Sequence, residues 1–278
     1  MKIKAHAKVN LFLQIKGKLE NGYHDLEMVN VPIDLFDSIQ ITESNQKSFT
    51  CDKYYIPTNK KNTMLQVCER LDTIKKLPDL AIKLTKNIPS LAGLAGGSAD
   101  AAALLNYLNT NYNYGFNQQQ LLDFASTIGA DVPFCVMNQL AKVTGIGETV
   151  IPLSRKLDFY LFIMKPSFGI STRELFSQTT LSSDPSVSID KLIQGLETND
   201  YLLFLENMTN DLEKVAIKKH PVLQKLLDEL TNFGFDKAMM SGSGSVIYGV
   251  TQNANLVDEA VNAFYKKVPF VKKSRMLD

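Results

Sequence analysis

Apolar and charged residues alternate from the start of the chain. Ile3, Ala5, Ala7 and Val9 interleave with Lys2, Lys4, His6 and Lys8, and this period of two predicts a strand over residues 1–15. A turn is expected around Gly17 and Gly22, and residues 31–42 (VPIDLFDSIQIT) read as a further strand. The period then lengthens. Behind Asn62, the residues Met64, Val67, Cys68 and Leu71 lie at helical spacing, and LAIKLT (80–85) returns to a strand. A helix is expected from Ser98, with Ala101, Leu104, Leu105 and Leu108 as its apolar stripe, Ser98 as N-cap and Asp100 in the first turn. A second helix is expected over 118–128, stopped at Gly129. Past Asp131 the pattern predicts strands through Lys142 and Val150, then the buried strand FYLFIM (159–164). A surface loop at 182–188 precedes two helices near 189–217. Pro221 opens another helix, whose stripe of Val222, Leu223, Leu226, Leu227 and Leu230 ends at Gly234. The strand VIYGV (246–250) and a last helix over about 255–267 complete the chain. Strands and helices mix without regular βαβ alternation, which predicts an α+β fold. The 278 residues are enough for two domains, read as 1–155 and 156–278.

Composition narrows the function. Thirty Lys plus Arg against 29 Asp plus Glu leave a net charge of +1, without the basic excess of a nucleic-acid binder. Cys51, Cys68 and Cys135 form no CxxC pair, which argues against a disulfide framework or a zinc site. His6, His24 and His220 form no HExxH or i,i+4 pair, so no metal-ligating residue is assigned. The charged N-terminus is not a signal peptide, and no run of 18 uncharged apolar residues could span a membrane. A cytoplasmic protein is expected.

The segment LAGLAGGSA (91–99) carries the first chemistry. A helix preceded by small residues offers unpaired backbone N–H groups at one spot, and a phosphate can approach them closely. The dipole adds about 1–2 kcal/mol. The spacing is neither GxxxxGK[ST] nor GxGxxG with a following acid, so Walker and dinucleotide loops are excluded. The alternative is a tight strand–helix connection whose small residues only permit close packing. Asp131 similarly reads either as a functional carboxylate or as a turn aspartate. Lys8 shares the parity of Lys2 and Lys4, and would on that ground be a solvated strand-face lysine.

PSLAGLAGGSADAA (89–102) resembles the phosphate loop of the GHMP kinases. AKVNLFL (7–13) and KAMMSGSGSVIYG (237–249) are similar to that family's N-terminal signature and C-terminal glycine-rich loop. GYHDLEMV (22–29), GADVPF (129–134), GIGE (145–148), STRELF (171–176) and NDLE (210–213) resemble, within the superfamily, the branch whose substrate is 4-diphosphocytidyl-2-C-methyl-D-erythritol.

The resemblance implies a two-domain α+β kinase with its active site in the interdomain cleft. It implies ATP-dependent phosphorylation of that substrate's 2-hydroxyl in non-mevalonate isoprenoid synthesis, with Mg2+ as cofactor. Carried over residue by residue, Asp131 becomes the catalytic base and Lys8 its electrostatic partner. Pro89, Ser90, Leu91, Ala92, Gly93, Leu94, Ala95, Gly96, Gly97, Ser98 and Ala99 become the ATP phosphate loop, with Asn62 and Lys86 near the nucleotide. Asn10, Tyr23, His24, Phe176, Ser241, Gly242, Ser243 and Gly244 become substrate contacts. The partners implied are ATP and a small molecule, with no nucleic acid and no membrane, in a monomer or weak homodimer. Asn62 reads equally as a helix N-cap. Several positions depart from the family's pattern: Ala99 for a second serine, Asn138–Gln139 for a Gly-Gly pair, Ile146 for an arginine and Ser245 for a proline. If the glycine at 138 serves a positive φ, asparagine is the better substitute. The rival readings are a GHMP kinase for another alcohol of homoserine or mevalonate type, and a divergent nucleotide-binding protein with little activity.

Overall fold

The computed structural model describes residues 1–20, 22–179 and 186–277. Two long strands open the chain, β1 (Lys2–Lys18) and β2 (His24–Glu43), followed by β3 (Ser48–Cys51). Asn62 caps α1 (Thr63–Ile74) through its side chain, and β4 (Leu80–Thr85) follows. α2 (Gly96–Asn111) leads to α3 (Gln118–Ser126), which starts with a reciprocal capping box between Asn117 and Gln120. The expected strand after Asp131 is instead a short helix, α4 (Val132–Met137). β5 (Ala141–Gly145), β6 (Thr149–Pro152), β7 (Tyr160–Lys165) and α5 (Thr172–Ser177) come next. The loop expected at 182–188 lies largely outside the described residues.

The two helices expected near 189–217 are three: α6 (Ile189–Thr198), α7 (Tyr201–Asn207) and, past the two-residue strand β8 (Thr209–Asn210), α8 (Asp211–Lys219). α9 (Val222–Phe233) ends as expected at Gly234, in the left-handed conformation; Leu223, Leu226, Leu227 and Leu230 of its stripe are buried, whereas Val222 is exposed. β9 (Lys237–Met240), β10 (Ile247–Thr251), α10 (Ala254–Phe264) and β11 (Phe270–Arg275) complete the order. The mixture is α+β.

Two compact units form, and they interleave along the chain. One comprises Met1–Ala7, Leu35–Ile88 and Ala95–Asn138, and the other Lys8–Asp34, Pro89–Leu94 and Gln139–Asp278. In the first unit the end of β2 pairs antiparallel with β4, and β3 joins the far side of β4 in parallel. α1 packs on α2, and α4 on α2 and α3. Their buried faces bring Met64, Val67 and Leu71 together with Leu104, Leu105, Leu108 and Phe134 in the core.

In the second unit the start of β2 pairs with β5, β5 with β6, and β1 with β8. A separate four-stranded antiparallel sheet runs in the order β11-β7-β10-β9. α9 and α10 cover it, and Phe162 of β7 meets Phe235 and Phe264 there. The segment Pro89–Leu94 belongs to this unit, while α2, which follows it directly, belongs to the first.

Candidate active site

α2 begins two residues before the expected Ser98. Its N-cap is Ala95, held left-handed at φ 56° with no side-chain cap. The first intrahelical bond runs from Ala99 N–H to Ala95 O, so the N–H groups of Gly96, Gly97 and Ser98 have no helical acceptor. Ser98 is therefore not the N-cap. Asp100 does not sit exposed in the first turn either; it is buried. Gly97 is exposed, and a Cβ added there would meet only Thr63 Oγ1 at 3.8 Å. This backbone corner is open to an anion.

The two readings of the glycines divide by position. Gly93 has φ +73°, and a Cβ on it would lie 1.9 Å from the Ser241 carbonyl oxygen. Ser241 Oγ donates to Gly93 O (3.0 Å), Ser245 N to Leu91 O (3.3 Å) and Val246 N to Ala92 O (3.2 Å). Close packing inside the second unit demands glycine at 93, whereas at 97 nothing crowds the backbone.

Lys86 is buried. Its ammonium is ion-paired with Asp37 and with Asp100, the latter at 2.7 Å. Asp37 Oδ1 also accepts from the N–H groups of Asn87 (2.6 Å) and Ile88 (2.8 Å), which anchors the chain just before the loop. An ideal Cβ on Gly96 would stand 3.3 Å from Lys86 Nζ, so this triad lies beside the first residue of α2. Burial pushes the Asp100 carboxyl up to about 7; the Lys86 charge opposes this, and the negative charge of the neighbouring Asp37 adds to it. Burial pulls the Lys86 pKa down, but its two acids outweigh that and the net direction is up. The pairing of Lys86 with Asp37 and Asp100 escaped sequence reasoning, since 49 and 14 positions separate them from Lys86. Asn62 is engaged locally: its Oδ1 accepts from Met64 N (2.9 Å) and its Nδ2 donates to Pro57 O (2.9 Å).

Lys8 departs from its parity. Lys2 and Lys4 are exposed, yet Lys8 is only 4% exposed, because β1 is buried on both faces from Ala7 to Ile15. Its Nζ donates to Asn10 Oδ1 (2.7 Å), and Asn10 Nδ2 donates to Asn30 Oδ1 (2.6 Å). Asn10 N donates to Ser241 Oγ at 3.4 Å, and Tyr248 Oη donates to Asn10 O at 2.6 Å. Asp131 immediately precedes α4 with helical backbone, and its carboxylate does not cap that helix. It belongs to the first unit, Lys8 to the second.

His24 and Phe176, 152 positions apart in sequence, meet in the second unit. Their rings stack with centroids 5.1 Å apart and planes 29° apart. Burial, and then the charge of Lys18, lower the His24 pKa below 6.5, so the ring is neutral near pH 7. Tyr23 beside it is 59% exposed. The glycine-rich loop at 241–244 is scaffolded from behind by the NDLE segment. Asn210 Nδ2 donates to Met240 O (2.8 Å) and Gly242 O (2.9 Å), and Glu213 Oε2 accepts from Met240 N (2.6 Å). Gly242 and Gly244 have φ +52° and +73°, and the Ser243 hydroxyl lies 2.7 Å from Thr172 Oγ1.

Residues 61–139 match the family model of the GHMP kinases N terminal domain, and residues 192–269 match GHMP kinases C terminal. The 4-diphosphocytidyl-2-C-methyl-D-erythritol kinase of Clostridium beijerinckii is 37% identical over 274 residues, covering 96% of this chain and 98% of its own. The chain belongs to the GHMP kinases. A kinase of the same name from Clostridium kluyveri is 38% identical over 276 residues, 96% of this chain and 98% of that one. A solved 4-(cytidine 5'-diphospho)-2C-methyl-D-erythritol kinase superposes over 100% of both chains with TM-score 0.85 at 25% identity. A homoserine kinase from Cytophaga hutchinsonii shares the fold, with TM-score 0.71 over 99% of this chain and 94% of its own at 16% identity.

As a GHMP kinase the protein is a small-molecule phosphotransferase with ATP as its implied donor. Of its departures from the family pattern, Asn138 closes α4 at φ 48°, the positive φ foreseen for that position, while Gln139 has no positive φ. At Ala99 the backbone N–H is already used within α2. Among the described residues no helix is long and apolar enough to cross a membrane, and no group of three or more His, Cys, Asp or Glu could hold a metal ion.

Proposed function

We propose that this GHMP kinase transfers the γ-phosphoryl group of ATP to the 2-hydroxyl of 4-diphosphocytidyl-2-C-methyl-D-erythritol. The observation that carries the substrate is the likeness, over nearly the whole chain, to kinases of that name. The His24–Phe176 pair gives it a physical basis: a neutral imidazole offers one donor and one acceptor to a cytosine edge, beside an aromatic face on which a base can stack. The likeness to homoserine kinase, at 16% identity, concerns the fold alone.

In this mechanism the N–H groups of Gly96, Gly97 and Ser98 receive phosphate oxygens at the positive end of α2. Asp131 accepts the proton of the 2-hydroxyl as its oxygen bonds to the γ-phosphorus and the bond to the β,γ-bridging oxygen breaks. The products are ADP, the phosphate monoester and protonated Asp131. The Lys8 ammonium, oriented by Asn10, stabilises the developing charge on the reacting oxygen. Mg2+, supplied with ATP, would neutralise charge on the β- and γ-phosphates. The reaction is placed in the cytoplasm, in a monomer or weak homodimer, and gel filtration across a concentration series checks the assembly.

The test is transfer from γ-labelled ATP with Mg2+, run in parallel on the cytidylated methylerythritol, homoserine and mevalonate. Label appearing at the 2-position of the first alone is the expected result. Preference for an alcohol without a cytidine rejects the substrate, and ATP binding without transfer to any of them rejects the activity.

A further inference from the structure

Asn30 lies on β2 within the apolar run MVNVPI and is fully buried. An asparagine amide has an acceptor end and a donor end of nearly the same shape, so packing alone does not decide which end faces a neighbour. For Asn10 the difference matters. Its Oδ1 accepts from the Lys8 ammonium at 2.7 Å, and a flipped amide would present N–H groups to that cation instead. The backbone of Asn10 is clamped by Ser241 and Tyr248, but those bonds leave its terminal torsion free. The side-chain amide is held by Asn30 Oδ1, which accepts from Asn10 Nδ2 at 2.6 Å, and more weakly by Met28 Sδ at 3.5 Å.

Asn30 is itself fixed in place. Its backbone pairs in register with Ala141 of β5. Its own Nδ2 is buried with no hydrogen-bond partner. A buried donor left unpaired is a cost that an aliphatic residue of similar size would avoid. Asn30 is therefore not explained by packing; what it supplies is the acceptor end.

We propose that Asn30 is a positioning residue for phosphoryl transfer, its Oδ1 locking the amide of Asn10 so that the carbonyl end orients the Lys8 ammonium. This rests on the reading above, in which Lys8 acts on the reacting hydroxyl. Asn30→Leu removes the acceptor at similar volume, and Asn30→Asp keeps it. Each variant and Lys8→Met are compared with the wild-type enzyme for kcat, for the KM of both substrates and for thermal unfolding. Asn30→Leu is expected to lower kcat about 10-fold, the size of one lost oriented hydrogen bond, with the KM for MgATP within about twofold. Asn30→Asp is expected to recover most of kcat. Should Asn30→Leu not fold, Asn30→Ser takes its place, since its hydroxyl is too short to reach Asn10. Unchanged kcat in the acceptor-free variant, with Lys8→Met still strongly impaired, overturns the role of Asn30 and leaves the mechanism intact. An Asn30→Asp variant as slow as Asn30→Leu also overturns it. Full activity in Lys8→Met instead removes the reading of Lys8, and this inference with it.

Discussion

Lys8 and Asp131 look ordinary in one dimension, and their surroundings set them apart. Lys8 is buried while its parity mates Lys2 and Lys4 are exposed, and a lysine gives up its hydration only where other groups replace it. The carboxylate of Asp131 leaves the start of α4 uncapped. On the proposed mechanism, Asp131→Asn removes the base without changing shape. It is expected to lower kcat by about 10²–10⁴ with an unchanged unfolding midpoint, measured by ADP release and urea titration. His24 gives a second expectation at this scale. Because its pKa is lowered, it is neutral from about pH 8 down to about 7, and its protonation midpoint falls below the ordinary 6.5. The KM for the cytidylated substrate should be flat over that range and rise under more acidic conditions. His24→Ala should raise this KM about 3- to 10-fold at neutral pH and remove the acid limb.

At the scale of elements, the segment leading into α2 holds one glycine that packing demands and one that nothing crowds. Gly93→Ala places a methyl against the Ser241 carbonyl at a positive φ and should destabilise the fold by roughly 2–4 kcal/mol in urea. Gly97→Ala meets only an ordinary contact, Thr63 Oγ1 at 3.8 Å. It should leave stability within about 0.5 kcal/mol and act instead on nucleotide affinity, raising the KM for ATP about 10-fold by blocking close approach to the backbone. Equal stability loss in the two variants would show that both glycines serve packing.

The triad at the base of α2 gives a pH signature. Asp100 binds its proton more tightly folded than unfolded. Its stabilisation is therefore complete below about pH 4 and is lost as pH rises through about 7. Asp100→Asn should flatten this part of the curve of unfolding free energy against pH. A wild-type slope retained in the variant would assign it to another group.

At the scale of the whole molecule, neither compact unit is one continuous stretch. β1 and β2 each contribute one end to either unit, and Pro89–Leu94 is separated by unit membership from the helix it leads into. A fragment of residues 156–278 lacks Lys8–Asp34, and with it the β1 segment that pairs Phe12 and Leu13 with Thr209 and Asn210. It also lacks β5 and β6. Expressed alone, that fragment should show no cooperative unfolding transition by circular dichroism, whereas the full chain should. A sharp transition in the fragment would mean that the four-stranded sheet and its helices suffice.

What the sequence determined by itself is what local chemistry decides. The bounds of β4, the Asn62 cap of α1, and the α9 stripe ending at Gly234 follow from periodicity and capping groups only a few residues apart. The glycine-rich segments and the family they resemble were legible for the same reason: each motif is contiguous. Other features needed the chain brought together. VPFCVM at 132–137 is a short apolar run whose period fits a strand or a helix, and its packing against α2 and α3 made it α4. FVKKSR became β11 only because β7 offered an edge. Asp37 and Asn30 lie outside every motif, and Asp100, though inside PSLAGLAGGSADAA, shows nothing there of its partner. Their side-chain partners lie 14 to 49 residues away, and a buried charge or amide acquires its role from what faces it across that distance.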